Sequence, residues 1–287
     1  MHIHRIQGFY NAVLKSGIGD PICEMIEFIS WVCSVDCLFS FYQGAITVDQ
    51  TRRVYYLVCM FGIKLDQNQD FMHRTVGGIS MLLSTVVVTE FMTNCFILGD
   101  EVTKEALVID PGGEAERILS QIKNMGLTVT AVVNTHAHVD HIGALKEIKD
   151  ASGALVMMHT LELPLLQAAS RMGRLFGIRI DQPPDPDRCL SEADKIQCGG
   201  ISLSVIETPG HSPGGISLVT SDGKLCFAGD TLFAGSIGRT DLPGGDYHTL
   251  IASIKTKLLP LGDDVKVLPG HGPATTIGTE RRYNPFL

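Results

Sequence analysis

The chain has 287 residues and a formal net charge of -8, and 45% of its residues are hydrophobic. This length suits one sizeable domain plus an appendage. The acidic balance, with no run of basic residues, argues against extended nucleic-acid binding. The eight cysteines form no CxxC pair and no regular framework, which indicates reduced thiols and a cytoplasmic location.

The first 80 residues differ in composition from the rest of the chain. Residues 1–72 hold most of the aromatic side chains but no motif that connects with the later ones. The apolar stretch from Ile22 to Tyr42 contains acidic residues that would each be costly in lipid, namely Glu24, Glu27 and Asp36. We therefore expect residues 1–80 to form an N-terminal extension without stable membrane insertion, and residues 81–287 to form one domain.

From residue 81 onward, apolar runs alternate with amphipathic stretches. The first block predicts strands at 86–88, 95–98, 107–109, 129–134 and 155–158, with helices over 114–123 and 160–169. The second block predicts strands at 201–207, 216–220, 225–228 and 265–268, with a helix over 247–258. Two blocks of strands with interspersed helices predict an α/β fold in which two sheets face each other and helices lie outside.

The run Thr-His-Ala-His-Val-Asp-His places four potential metal ligands in one loop: His136, His138, Asp140 and His141. His136 and His138 are two residues apart, so on an extended segment both side chains point to the same side. Asp140 and His141 fall where the chain turns into a predicted helix with apolar residues at helical spacing. The loop thus offers two pairs of ligands that leave it in different directions.

Three further motifs each carry one ligand: His211 in Pro-Gly-His, Asp230 in Ala-Gly-Asp and His271 in Pro-Gly-His-Gly. A lone histidine is usually packed or solvated, but five of the ten histidines lie in motifs of this kind. We predict that the seven ligands hold two divalent metal ions, with zinc expected and iron or manganese as alternatives. Seven ligands leave coordination positions open, which is typical of a catalytic site.

These motifs resemble the metallo-β-lactamase fold superfamily in their residues and in their order. The segments GRTDLPGGD at 238–246, KTKLLPLGDDVKVLPGHGP at 255–273 and ERRYNPFL at the end are similar to short, single-domain glyoxalase-II-like hydrolases. The resemblance runs from about Met81 to Leu287. It implies that residues 81–287 form a catalytic domain with a four-layer αββα sandwich.

The resemblance also implies a role for each ligand. One metal would be bound by His136, His138 and His211. The second would be bound by Asp140, His141 and His271. Asp230 would bridge the two ions. Members that cleave β-lactams generally carry a cysteine at this last position, so the aspartate argues against antibiotic hydrolysis.

The predicted metal pair favours hydrolysis of a small-molecule thioester. Bound metals lower the pKa of water to about 7, so hydroxide forms at neutral pH. The predicted catalytic residues are Asp140, which could orient the hydroxide by accepting its proton, and Asp230, which would hold the metals together. The motifs supply no obvious acid for a poor leaving group, whereas a thiol with a pKa of about 8.5 leaves as thiolate. We therefore expect a glyoxalase-II-like enzyme that acts on S-lactoylglutathione or a related acyl thioester.

Two other functions stay open from the sequence. A mononuclear-iron persulfide dioxygenase of the same fold retains this ligand set, although its relatives usually have a Pro-Ala-His-Asp final loop where this chain has Pro-Gly-His-Gly-Pro. A metal-stabilised interaction protein without turnover is the other. Two-domain glyoxalase II enzymes add a helical domain that binds glutathione, but only residues 272–287 follow His271 here. We therefore expect weak selectivity for glutathione.

Three sites outside the ligand motifs carry predictions of their own. Asp110 either orients a metal-binding histidine or belongs to a turn that starts a helix. Arg239 and Asp241 are expected to brace the site as an ion pair. Tyr283 and Asn284 either line the pocket or dock the C-terminal segment. The sequence does not predict an oligomeric state.

Overall fold

The computed structural model describes residues 72–76, 79–175, 177 and 180–287. Residues 1–71 of the predicted N-terminal extension, with the apolar stretch from Ile22 to Tyr42, lie outside the described residues. Within the described ranges, no helix is both long enough and apolar enough to cross a membrane. The proposed domain boundary between residues 80 and 81 stays a prediction.

Among the described residues, the first sheet has seven strands that lie side by side in chain order. These are β1 (Met72–Val76), β2 (Ile79–Val88), β3 (Thr93–Asp100), β4 (Glu105–Ile109), β5 (Thr128–Val133), β6 (Leu155–His159) and β7 (Arg188–Leu190). The strands from β1 to β4 pair antiparallel, and those from β4 to β7 pair parallel. Parallel neighbours require crossover connections. Here they are helical: α1 (Ala115–Asn124), α2 (Val139–Ile142), α3 (Leu145–Ser152), a 3-10 turn at Thr160–Glu162 and α4 (Leu163–Leu175).

The second sheet contains six strands in the part of the chain that the structure describes. In chain order they are β8 (Lys195–Cys198), β9 (Ile201–Glu207), β10 (Ile216–Thr220), β11 (Leu225–Gly229), β14 (Lys266–Pro269) and β15 (Thr275–Thr276). Across the sheet they follow the order β15-β14-β11-β10-β9-β8, and β11 pairs parallel with β14. A separate hairpin is formed by β12 (Leu232–Phe233) and β13 (Ser236–Ile237). Helix α5 (Tyr247–Ser253) continues into a π turn at Ile254–Leu258, and α6 (Ile277–Tyr283) lies near the C-terminus.

Alternating side chains along the strands build two sides of the first sheet. Leu83 of β2 and Phe96 of β3 belong to the core between the two sheets, where the Phe96 ring meets that of Phe227 at 5.2 Å between centroids. Leu82 and Ile97, on neighbouring positions of the same strands, pack instead against the outer helices. This is the side-chain period of two that a strand imposes.

The outer side of the second sheet is covered in the same way. Cys226 and Val267 pack with Leu250 of α5, Ile254 of the π turn and Ile277 of α6. Helices therefore flank two facing sheets, and the predicted four-layer αββα sandwich is confirmed.

Each strand and helix predicted from the sequence is present in the structure. The strands at 201–207 and 216–220 have the predicted bounds, and the other elements have shifted ends. The predicted helix over 160–169 begins as a 3-10 turn and runs on to Leu175, and the predicted helix over 247–258 ends as a π turn. Strand β1 and five short strands, β7, β8, β12, β13 and β15, were not predicted. The five short strands have two to four residues each and contain little alternation.

Candidate metal centre

The two sheets bring all seven predicted ligands together at one edge. His136 and His138 follow β5, and Asp140 and His141 lie in the short helix α2. The remaining ligands come from the second sheet: His211 between β9 and β10, Asp230 after β11 and His271 after β14. The two sheets meet here, since His271 forms an isolated bridge with Thr93 at the start of β3.

Three histidines form the first group of potential ligands. One nitrogen from each of His136, His138 and His211 lies within 4.8 Å of the other two. Nδ1 of His138 is 2.8 Å from Nε2 of His211. Nε2 of His136 is buried and has no hydrogen-bond partner among the described residues. A buried polar atom without a partner is costly, and a bound cation would satisfy it.

The second group consists of Asp140, His141 and His271, whose ligand atoms also lie within 4.8 Å of one another. Nε2 of His271 is 3.2 Å from Nε2 of His141 and 3.2 Å from Oδ2 of Asp140. The two nitrogens and the oxygen therefore converge on one point. Nitrogen and oxygen donors of this kind suit borderline divalent ions.

Asp230 lies between the two groups. Its Oδ2 is 3.5 Å from Nε2 of His211 and 3.5 Å from Nε2 of His271. Its Oδ1 is 3.4 Å from Nε2 of His141 and is buried without a hydrogen bond to any described residue. One carboxylate thus reaches ligands of both groups, which is the position that a bridging ligand requires.

Contacts at Nδ1 orient three of the histidines. His141 donates to Oδ2 of Asp110 at 3.0 Å, His211 to the carbonyl of Arg239 at 2.8 Å and His271 to the carbonyl of Phe91 at 2.9 Å. A carbonyl oxygen only accepts, so this bonding assigns the proton to Nδ1 of His211 and His271. In their neutral forms, Nε2 is left with a lone pair that faces the centre, as in metal-binding histidines generally.

The electrostatics of the site also fit divalent cations. Burial and the neighbouring histidines hold the pKa of His136 well below its usual value, and burial and His211 lower the pKa of His138 to about 4. Burial alone would raise the pKa of Asp230, but His141, His211 and His271 outweigh it and lower the pKa. Neutral imidazoles and ionised carboxylates are the forms that bind metals.

His141 differs from His136 and His138 in its charge environment. Burial works to lower its pKa, but Asp230, Asp110 and Asp140 outweigh burial and raise the pKa well above its usual value. A positive charge at this point is therefore favourable. The residues present fit a centre of two divalent ions, in which a metal would take the place of the proton.

The profile of the Metallo-beta-lactamase superfamily matches residues 88–271 of the chain. The chain belongs to the metallo-β-lactamase superfamily. Hydroxyacylglutathione hydrolase GloC of Haemophilus influenzae is 41% identical to it over 209 residues, which cover 72% of this chain and 98% of GloC. The similarity supports a metallo-hydrolase of this superfamily.

Two solved structures of high similarity have the same fold. The B3 metallo-β-lactamase BLEG-1 matches with a TM-score of 0.67 and 42% identity, over 71% of this chain and 99% of that one. TTHA1623, solved in a di-iron-bound form, matches with a TM-score of 0.65 and 40% identity over 71% and 99%. The family and the two ligand clusters together indicate a dimetal site.

Gly270 shows why this superfamily member has a glycine directly before His271. A Cβ atom at this position would collide with Oδ1 of Asp230 and would lie 2.7 Å from Cε1 of His141. The backbone itself must therefore approach the ligands, and only glycine leaves the room.

The structure decides between the alternatives left open for the neighbouring residues. Asp110 does contact a histidine of the candidate metal centre, His141. Arg239 and Asp241 do form an ion pair, at 2.7 Å, but both side chains are more than half exposed. The carbonyl of Arg239, and not its guanidinium, contacts His211. Asn284 donates to the carbonyl of Ser236, so the C-terminal segment docks against the hairpin that follows Asp230.

Sequence reasoning missed two buried residues that hold the ligand loops. The side-chain amide of Asn94 donates to the carbonyls of Pro269 and Gly272 at 2.9 Å each, on both sides of His271. Glu162 accepts hydrogen bonds from two ligand loops. Neither residue belongs to a local motif, and their partners are far away in the chain, so no sequence signal marked them.

Proposed function

We propose that the protein hydrolyses thioesters and converts S-lactoylglutathione or a related acyl thioester to an acid and a thiol. The similarity to hydroxyacylglutathione hydrolase GloC over 98% of its length is the observation that carries this proposal. The 209 matched residues cover 98% of GloC, so GloC is too short to contain a large additional domain for glutathione. The short segment after His271 is therefore compatible with a thioester substrate.

In this proposal the seven clustered residues hold two metal ions. His136, His138 and His211 form one half-site, and Asp140, His141 and His271 form the other. Asp230 serves both, in keeping with its distances to ligands of each group. We favour zinc, because imidazole and carboxylate ligands suit it. Iron stays open in view of the di-iron form of TTHA1623, as does manganese.

Two bound divalent ions would supply a Lewis acid for the thioester carbonyl and would acidify a water molecule. The protein's own part is to hold and move protons. Burial alone would raise the pKa of Asp140, but His141 and His271 outweigh it and lower the pKa, so the carboxylate is ionised. With its side chain 17% exposed, it could accept a proton from the attacking water. The thiol product leaves as thiolate without a separate acid, because its pKa is about 8.5.

We also propose a cytoplasmic location. The four cysteines in the described part of the chain, Cys95, Cys189, Cys198 and Cys226, are all free thiols. Free thiols of this kind are usual in a reducing compartment.

A β-lactam hydrolase is the competing proposal, because the chain is 42% identical to BLEG-1. Asp230 argues against it, since members that cleave β-lactams generally carry a cysteine at this position. The persulfide dioxygenase also stays open, since its ligand set would be the same and iron fits the donors. A metal-stabilised interaction protein would be expected to show no turnover with any of these substrates.

One preparation can distinguish these functions. Metal content, thiol release from S-lactoylglutathione, oxygen uptake with a persulfide and cleavage of a chromogenic cephalosporin should be measured on the same sample. We expect about two metal ions per chain, as the two ligand clusters imply, and thiol release well above the other activities. Oxygen uptake or cephalosporin cleavage as the dominant activity would replace the proposal, and a metal-loaded protein without turnover would favour the interaction protein.

A further inference from the structure

Glu162 is a fully buried acidic residue that joins two of the ligand loops. Its Oε2 accepts a hydrogen bond from the backbone N–H of Ala137 at 2.7 Å, and its Oε1 accepts one from the N–H of Gly214 at 2.7 Å. Ala137 stands between His136 and His138. Gly214 lies three residues after His211. One carboxyl group therefore connects both loops that supply the first group of histidines.

A backbone hydrogen bond connects the same two loops at a second point. The N–H of Ile216 donates to the carbonyl of Thr135 at 2.9 Å. Thr135 directly precedes His136, whereas the contact of Glu162 with Ala137 follows it. The two loops are therefore held together on both sides of His136, by a backbone hydrogen bond on one side and by the carboxylate of Glu162 on the other.

The turn that carries Glu162 is itself held in place. Nδ1 of His159 accepts a hydrogen bond from the N–H of Leu161 at 3.2 Å, so Nε2 is the protonated nitrogen that donates to Glu207 at 3.1 Å. Gly214 packs closely on this turn, since a Cβ atom there would lie 2.5 Å from Nδ1 of His159 and 3.1 Å from Cγ of Glu162. The carboxyl group is therefore directed at the two N–H groups by its own well-packed turn.

We propose that Glu162 is a positioning residue for the half-site of His136, His138 and His211. The inference rests on the ligand assignment made in the proposed function. A buried acidic group is costly unless its oxygens are paired, and here each oxygen is paired with a ligand loop. A glutamine could accept only one of these bonds and would turn its NH₂ group toward the other N–H. The loops would then shift apart, which weakens one half-site and leaves that of Asp140, His141 and His271 intact.

The test compares Glu162→Gln with Asp100→Asn as a matched control. Asp100 is also buried and accepts backbone hydrogen bonds, from Val102 at 2.7 Å and Gly200 at 2.6 Å. Asp100 ends strand β3, whereas Thr93, which forms a bridge with His271, begins it. The two residues are about 23 Å apart along the strand. The two metal affinities should be measured by titrating zinc into the metal-free full chain against a chromophoric chelator, and stability by thermal unfolding.

We expect Glu162→Gln to weaken one of the two zinc affinities by about 10- to 100-fold, the usual effect of removing a group that orients metal ligands. Asp100→Asn should lower the unfolding temperature and leave both affinities unchanged. The ion whose affinity is weakened should be the one that is lost in His211→Ala. In that background, adding Glu162→Gln should not weaken the remaining ion further, because the half-site on which Glu162 acts is already broken.

Unchanged affinities in Glu162→Gln would overturn the inference. The inference would also be overturned if Glu162→Gln weakened the affinities for both ions equally and Asp100→Asn had the same effect. Glu162 would then contribute only to stability. If Glu162→Gln is insoluble, Gly214→Ala probes the same contact and should weaken the affinity for the same ion. If Gly214→Ala leaves both affinities unchanged, the inference is rejected. A wild-type protein that binds two ions but cleaves no thioester would reject the proposed function and leave this inference standing.

Discussion

Asp110 accepts a hydrogen bond from Nδ1 of His141 at 3.0 Å, and both side chains are almost completely buried. The same carboxylate accepts from the N–H and the hydroxyl of Thr135 at 2.7 and 2.6 Å. Asp110 has a φ of 53°, in the left-handed region that aspartate tolerates better than most residues. One acidic residue therefore holds the start of the ligand loop and leaves Nε2 of His141 directed at the candidate metal centre.

Asp110→Asn should weaken the binding of the ion at the half-site of His141. Asparagine keeps the shape, but it has a single acceptor oxygen, so either His141 or Thr135 loses its partner. We expect the affinity for this ion to fall by about 10- to 100-fold. Chelator competition is the measurement, with Asp100→Asn as the buried control. Full affinity for both ions would mean that the contact has no part in orienting His141.

Asp230→Ala should abolish thioester hydrolysis and reduce the metal content while the fold is largely kept. The reason is the position of this carboxylate between ligands of both half-sites. Metal content and thiol release should be measured together. Asp241→Ala, which removes an exposed carboxylate of the same type, should change neither. Full activity of the Asp230 variant would contradict the bridging role.

Metal binding should release protons at neutral pH. In the metal-free protein the pKa values of His141 and His271 are raised, because nearby carboxylates outweigh the effect of burial, so both tend to hold a proton. These carboxylates are Asp230, Asp110 and Asp140 for His141, and Asp140 and Asp230 for His271. The pKa values of His136 and His138 are lowered, so these residues are already neutral. We expect the release of about one to two protons per chain, since ligands must be deprotonated.

Calorimetry at pH 7 in buffers of different ionisation enthalpy measures this proton release. Metal affinity should increase as the pH rises toward the raised pKa values of His141 and His271, because these histidines then lose the protons that compete with the metal. His141→Ala should release fewer protons than the wild type. If the wild type releases none, these two histidines are neutral before binding.

A chain that begins at Met81 should keep both metal ions and its activity, because every proposed ligand lies beyond this point. It would lose the first two residues of β2 and the whole of β1, which within the described residues pairs with the segment from Ile79 to Leu83 of β2. A chain that begins at Asn68, the start of the compact unit that contains the site, is the matched comparison. We expect the shorter chain to unfold at a lower temperature with unchanged metal content. A soluble, metal-loaded but inactive chain from Met81 would show that the preceding residues contribute to the site.

S-lactoylglutathione should be cleaved with limited selectivity over simple thioesters. The proposed metal centre acts on any accessible thioester, whereas selectivity requires contacts to remote parts of the substrate. The ratio of kcat/KM for S-lactoylglutathione and for a thioester without the glutathione peptide measures this. A preference above about a thousandfold, roughly 4 kcal/mol, would reveal a glutathione site.

The sequence alone determined the ligand types, their order and the layers of the fold. His136 and His138 lie two apart after an apolar strand, and α2 and α3 bury Ile142, Leu145 and Ile148 at helical spacing. These features depend on neighbours within a few residues, and local periodicity reports such neighbours directly. The two blocks of apolar strands with interspersed helices likewise predicted two facing sheets with helices outside.

Only the tertiary structure decided which groups hold those ligands. Asn94 contacts the loop of His271 from 175 and 178 residues away, and His271 itself donates to a carbonyl 180 residues away. The carbonyls of Phe91 and Arg239 and the N–H groups of Ala137 and Gly214 are backbone groups, which every residue type offers. Which of these backbone groups contact the ligands depends on where the two packed sheets place their loops. A local sequence pattern does not report which distant loops come together.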